Sequence, residues 1–171
     1  MEEEAVNKAL TIRTYKAKDV PIALDMLMNA LPQLPNYAMI TADRARIEYV
    51  LRNNIDNAVS FAGWVVCDTQ DIPRGCGAGW CVKSLMSNDL VADDVFLWVE
   101  PEYRTLRNAN LLIQTYVEWA KARGAKLIRA SHTGGSFQPG TKDYELYNAL
   151  LERQGFKPVG TVYHLSTYGD K

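Results

Sequence analysis

The chain has 171 residues, with 47% apolar and 23% charged, enough for one globular domain with a sizeable core. Its formal net charge of −1 argues against non-specific binding to nucleic acid or anionic lipid, which needs an excess of Lys and Arg. Three cysteines, Cys67, Cys76 and Cys81, form no C-x-x-C pair; they read as small buried hydrophobes in a reducing compartment rather than as a zinc cage or disulfide framework.

Residues 1–9 read as an acidic leader without the apolar run of a signal peptide. No stretch approaches the roughly 20 apolar residues of a membrane helix, so a cytoplasmic protein is expected, with one domain over residues 10–171. Thr11 to Tyr15 alternates and is β-branched, the pattern of a strand. Asp19 is placed as an N-cap, with Pro21 in the first turn of a helix carrying Ile22, Leu24, Leu27, Met28 and Leu31. Pro32 and Pro35 break it. Thr41 is expected to cap a second helix, with Ile47, Val50 and Leu51 on one face and an Arg44–Glu48 pair.

Phe61 to Cys67 is a strand, and Asp71, Pro73 and Gly75 supply turn chemistry before a second one from about Cys76 to Leu85. Gly75, Gly77 and Gly79 alternate within it, the spacing of close backbone approach rather than of a phosphate loop. Asp93 and Asp94 read as turn residues before Val95–Val99, a continuous apolar run that predicts a central strand buried on both faces. A helix follows from about Arg107 to Arg123, with Leu112, Tyr116, Trp119 and Ala120 inward and Gly124 as its C-cap. Lys126 to Ala130 is the next strand, which makes a parallel strand–helix–strand unit. A loop from Thr133 to Gly140, a helix from Asp143 to Arg153 closed by Gly155, and a strand from Thr161 to Thr167 complete the chain. The expected fold class is α/β: a mixed, mainly antiparallel sheet with one parallel crossover and helices on both faces. Trp64, Trp80, Trp98, Tyr116 and Trp119 are expected in the core.

The segment from Val99 to Leu112 carries the chemistry. A strand ends, a polar turn follows and a helix begins, so backbone N–H groups face outward at the positive end of a helix dipole. That is a pyrophosphate seat, and Arg104 and Arg107 can add charge-assisted hydrogen bonds. His132 lies just past a parallel strand, where open sheets place ligands. With Glu100 at the end of the central strand, it is a candidate proton acceptor.

On these residues the chain resembles the GNAT acyltransferase family. The family segment runs roughly V-x-P-x-x-R-x-x-G-x-G/A after the fourth strand; Val99, Pro101, Arg104 and Ala109 match it, and Leu112 matches the next apolar position. Leu150 to Lys157 is similar to the family's closing apolar helix and Gly-Phe, so the likeness spans residues 11–167. Two positions depart: Arg107 stands where the family has its first loop glycine, and Leu151 where many members have a proton-donating tyrosine. Tyr147, one turn earlier on the same face, is the candidate substitute.

The resemblance implies an N-acyltransferase that moves an acetyl group from acetyl-CoA to a small-molecule or protein amine, with no nucleic-acid or membrane partner. Leu97, Trp98 and Val99 would line the pantetheine. Arg104, Leu106, Arg107, Asn108, Ala109 and Asn110 would hold the pyrophosphate. His132 or Glu100 would take the amine's proton, and a homodimer stays open. The alternative is a catalytically inactive GNAT-fold binding or assembly protein, similar to small divergent members found in bacteriophages.

Overall fold

The computed structural model describes residues 9–33, 41–55, 60–131 and 140–160. Its frame is a sheet in the order β1 (Thr11–Thr14), β2 (Phe61–Cys67), β3 (Pro73–Lys83), β4 (Leu90–Val99) and β5 (Leu127–Arg129). The first four strands run antiparallel to their neighbours, and β5 is parallel to β4. This is the meander and single crossover expected from the sequence. The expected closing strand at 161–167 lies outside the described residues.

Helices cover both faces because the strands alternate apolar side chains to each. On one face α1 (Val20–Ala30) and α2 (Arg44–Asn54) bury Val20, Leu24, Leu27 and Leu51 against Tyr15, Val65, Cys67 and Cys76. On the other, α3 (Leu106–Ala122) and α4 (Lys142–Arg153) bury Ile113, Tyr116, Leu150 and Leu151 against Trp64, Cys81 and Ala92. Each such large apolar side chain contributes about 1.5–3 kcal/mol by leaving water. The cysteines are buried and unpaired, and desolvation pushes Cys76 up to about 12. Among the described residues no helix is long and apolar enough to cross a membrane.

Close packing explains the β3 glycines. A Cβ on Gly75 would stand 2.5 Å from the Trp98 carbonyl, and one on Gly79 would stand 3.1 Å from the rings of Tyr116 and Trp119. The strand therefore admits α3 and β4 at distances a side chain would forbid. Gly124 and Gly155 close α3 and α4 at φ 78 and 90, as their C-cap roles require.

Several local expectations are corrected. Asp19 makes no cap bond to α1; its carboxylate accepts from the Lys16 N–H at 2.8 Å and from both Arg13 terminal nitrogens at 2.7 and 2.9 Å. That charge-assisted fork outcompetes a neutral cap. Asp43, not Thr41, caps α2 by accepting from Arg46. Glu48 pairs with Arg52, while Arg44 pairs with Asp25 on α1. Glutamate ahead of the cation at i,i+4 is the better arrangement on a helix. The largest correction concerns β4. It begins at Leu90, so Asp93 and Asp94 are strand residues, not turn residues. Residues 95–98 are half-buried rather than closed on both faces.

Candidate functional site

The site is made by β4 parting from β5. Their parallel register runs Val91↔Leu127, Ala92↔Ile128 and Asp93↔Arg129, and among the described residues it goes no further. On its other side β4 follows β3 to Val99, with an irregularity that passes from Phe96 to Asp94 and leaves Val95 as an extra residue. Such a bulge bends the strand and re-aims its side chains. The result is a fork whose root lies at Asp93–Asp94.

One wall of the fork is backbone. The Glu100 N–H donates to the Arg74 carbonyl on β3 at 2.8 Å. Backbone groups alternate sides along a strand, so the N–H groups of Leu97 and Val99 point the other way, into the fork. Leu97 and Val99 turn their side chains to the α3 face, while Phe96 and Trp98 pack on the α1–α2 face. This accounts for the half-burial of an apolar run: among the described residues, one edge of the strand has no partner.

At the mouth stands the start of α3. A short helical turn, Pro101–Tyr103, leads to Thr105, whose hydroxyl accepts from the Asn108 N–H at 3.2 Å and caps the helix. Asn108 is buried, and its side-chain amide donates to the Tyr103 carbonyl at 2.8 Å. The Ala109 N–H bonds back to the Thr105 carbonyl at 2.9 Å. Asn108 and Ala109, both expected to face a phosphate, thus spend these N–H groups inside the turn. Leu106 and Arg107 occupy the first helical positions, whose N–H groups have no intrahelical acceptor. Of the amides expected to face a phosphate, these two stay open at the start of α3.

Both arginines stand beside it. Arg104 donates from Nε to the Val99 carbonyl at 2.8 Å, and its guanidinium lies 5.9 Å from the centre of the Trp98 ring. Arg107 is exposed. Beside them a groove of about 440 Å³ runs between α3 and α4, lined in part by Leu106, Arg107, Asn110, Leu146, Arg153 and Gln154. Gln154 donates to the Asn110 side chain at 2.7 Å and ties the two helices together.

The acid–base candidates are distributed unevenly. Glu100 is turned toward β3, where its carboxylate meets Arg74 at 3.4 Å; Arg74 also holds Asp68 at 2.9 Å and lies over the Tyr103 ring. His132 and nearly all of the loop from Thr133 to Gly140 lie outside the described residues. Tyr147 is half-buried on α4, and desolvation, with the Asp94 charge adding to it, holds its phenol well above the usual range. Leu151 is a core residue.

Sequence reasoning missed the residue at the root of the fork. Asp94 is half-buried, accepts from the Ser131 N–H at 3.1 Å and from its hydroxyl at 3.4 Å. Desolvation pushes its carboxyl up to about 6; the Ser131 hydrogen bonds oppose this, and the charge of Asp93 adds to it. Asp93 itself is closed by Arg129 through bonds of 2.6 and 2.7 Å. The signal was present as two carboxylates without the Gly or Pro that a turn favours.

No family model and no curated protein sequence matches the chain. Solved structures match it almost end to end. A predicted acetyltransferase from Clostridium acetobutylicum with acetyl-CoA has a TM-score of 0.66 at 13% identity, covering 92% of this chain and 96% of that one. AAC(6′)-Iy in complex with the bisubstrate analogue CoA-S-monomethyl-acetylneamine has a TM-score of 0.64 at 14% identity, covering 95% and 99%. An aminoglycoside acetyltransferase from an uncultured soil metagenomic sample, in complex with sisomicin, has a TM-score of 0.59 at 19% identity, covering 95% and 97%. The class is thus a mixed α/β domain with one parallel crossover. More particularly, the chain has the GNAT acetyltransferase fold.

Proposed function

We propose that this protein is an acyl-CoA-dependent N-acyltransferase that moves an acetyl group from acetyl-CoA to an amine. The observation that carries this reading is the fork itself: outward-facing backbone of Leu97 and Val99 leads to the first amides of α3, with Arg104 and Arg107 beside them. An extended pantetheine can add to an open strand edge as a further strand would. Its pyrophosphate would meet the Leu106 and Arg107 amides at the positive end of α3. The groove beside Arg107 and Arg153 has room for the nucleotide end, with Leu106 and Leu146 offering apolar contact. Solved structures of the same fold carry acetyl-CoA or a CoA bisubstrate analogue.

Tyr147 is the proposed proton donor to the leaving thiolate, since a phenol held well above its usual range stays protonated at neutral pH. The amine must lose a proton at the fork, and His132 and Glu100 are the acceptors proposed from sequence. The acceptor class is a small-molecule amine; matching structures include one with sisomicin.

Isothermal calorimetry with acetyl-CoA tests the co-substrate site. Binding in the micromolar range is expected, weakened about a hundredfold by Arg107→Glu, which is roughly 2.7 kcal/mol. A well-folded protein that binds no acetyl-CoA would overturn the reading and favour a non-catalytic binding role. Thiol release with sisomicin and simple alkylamines then tests turnover.

A further inference from the structure

Asp93 and Asp94 are chain neighbours with opposite surroundings. Asp93 has a guanidinium on it through two short bonds. Asp94 has the N–H and hydroxyl dipoles of Ser131 as partners, and its own backbone N–H adds to them. Among the described residues, the other titratable groups facing it are Asp93 on its own strand, Tyr116 from α3 and Tyr147 from α4. None of these is a cation. Tyr116 is fixed by donating to the Arg129 carbonyl at 2.7 Å. A half-buried carboxylate that no described cation faces is unfavourable, and a cation arriving at the fork would relieve it.

Its position matches that task. Asp94 lies one residue past the last β4–β5 pair and next to the bulge at Val95, and Ser131 holds it from the end of β5. Resting on the acyltransferase reading, we infer that Asp94 is the catalytic residue for the acceptor: its carboxylate docks a primary ammonium at the root of the fork and takes the proton that the nitrogen must lose before attack. Ser131 is its positioning residue.

The step balances. One proton passes from the ammonium to the Asp94 carboxylate. The freed lone pair forms the C–N bond at the thioester carbonyl carbon, and collapse of the adduct breaks the C–S bond with its electron pair on sulfur. The thiolate takes a proton from the Tyr147 hydroxyl, which recovers one from the new amide nitrogen. The proton on Asp94 leaves to solvent. A primary amine supplies both protons; a quaternary ammonium can dock but cannot react. A carboxyl that titrates near working pH is a stronger base than an ordinary one while remaining ionised at neutrality.

Two measurements decide the inference. In aspartate-labelled protein, the carbon-13 carboxyl signal lost in Asp94→Asn is followed against pH, with and without saturating n-butylammonium. The expected midpoint is about 6, falling by at least half a unit with butylammonium and unmoved by butanol. In thiol-release kinetics, kcat/KM for an alkylamine should show an acid limb. Asp94→Asn should lower it about a hundredfold or more and remove that limb, with acetyl-CoA affinity unchanged. An unmoved carboxyl midpoint overturns the inference. So does an acid limb that survives in Asp94→Asn and disappears in Glu100→Gln or His132→Ala. If acetyl-CoA fails to bind, the acyltransferase reading falls, while the response to butylammonium still decides whether Asp94 is an ammonium site.

Discussion

The two halves of β4 share one strand, yet they live in different environments. From Val91 to Asp93 the strand is paired on both sides, to β3 and β5. From Phe96 to Val99 it is paired to β3, and its other edge faces the fork. The closed half carries its negative charge next to a cation, Arg129, whereas the open half ends where two arginines and a helix N-terminus gather. An apolar run therefore reports that a strand has packed faces, not that both its edges are paired. What separates the halves is the extra residue at Val95, and Asp94 sits on that boundary.

The open half depends on the turn that ends it, and Asn108 is the tie. Asn108→Ala would leave the Tyr103 carbonyl without its 2.8 Å donor in a buried place. The expected loss in urea denaturation is about 1–3 kcal/mol. Because the same turn presents the Leu106 and Arg107 amides, acetyl-CoA affinity should fall with it. Unchanged stability would mean that the turn is held by other contacts, and the contrast between the halves would weaken.

At the boundary the expected effect is smaller and has the opposite sign. The folded-state carboxyl of Asp94 titrates at about 6, above its ordinary value of 3.8. The native state therefore holds that proton more tightly than the unfolded chain. This group's penalty is fully present above pH 6 and disappears as pH falls from about 6 toward 4. Asp94→Asn removes the charge and retains an oxygen for Ser131 to donate to. It should raise stability by roughly 1–2 kcal/mol at pH 7.5, less than the full shift implies because the group is half-buried. The gain should vanish near pH 4. A variant less stable than wild type at pH 7.5 would show that the carboxylate is a structural tie rather than a strained functional group.

The strand and helix order was legible because apolar periodicity and Gly124 and Gly155 mark it locally. The turn and helix start proposed to seat an anion were legible for a similar reason: Pro101, Arg104 and the start of α3 lie within a few residues. Their details were not. Asn108 and Ala109 were read as phosphate ligands, but Thr105 captures their N–H groups, and sequence does not say which amide a cap will take. Asp94 was illegible for a deeper reason. Its environment is made by Ser131, Tyr116 and Tyr147, which come from a separate strand end and two helices. A run of two aspartates looks the same whether a guanidinium covers one of them or not.

That last point yields the finest test. Arg129 closes Asp93 through bonds of 2.6 and 2.7 Å, and the Asp93 charge is among the causes raising Asp94. In Arg129→Ala the Asp93 charge would act on Asp94 uncompensated. At the effective dielectric of a partly buried site, an added neighbouring charge moves a carboxyl by a few tenths of a unit to about one. The Asp94 midpoint should therefore rise from about 6, and the acid limb of turnover should move to higher pH with it. Arg129→Lys keeps the charge but not the two-pronged geometry, so it should move the midpoint less. The Tyr116 bond goes to the Arg129 backbone carbonyl, so neither substitution removes it. A midpoint that stays fixed in Arg129→Ala would mean that desolvation alone sets Asp94, and that the paired half of β4 shields nothing in the open one. A midpoint that falls would mean that losing the long Arg129 side chain admits water to the fork faster than it exposes the Asp93 charge.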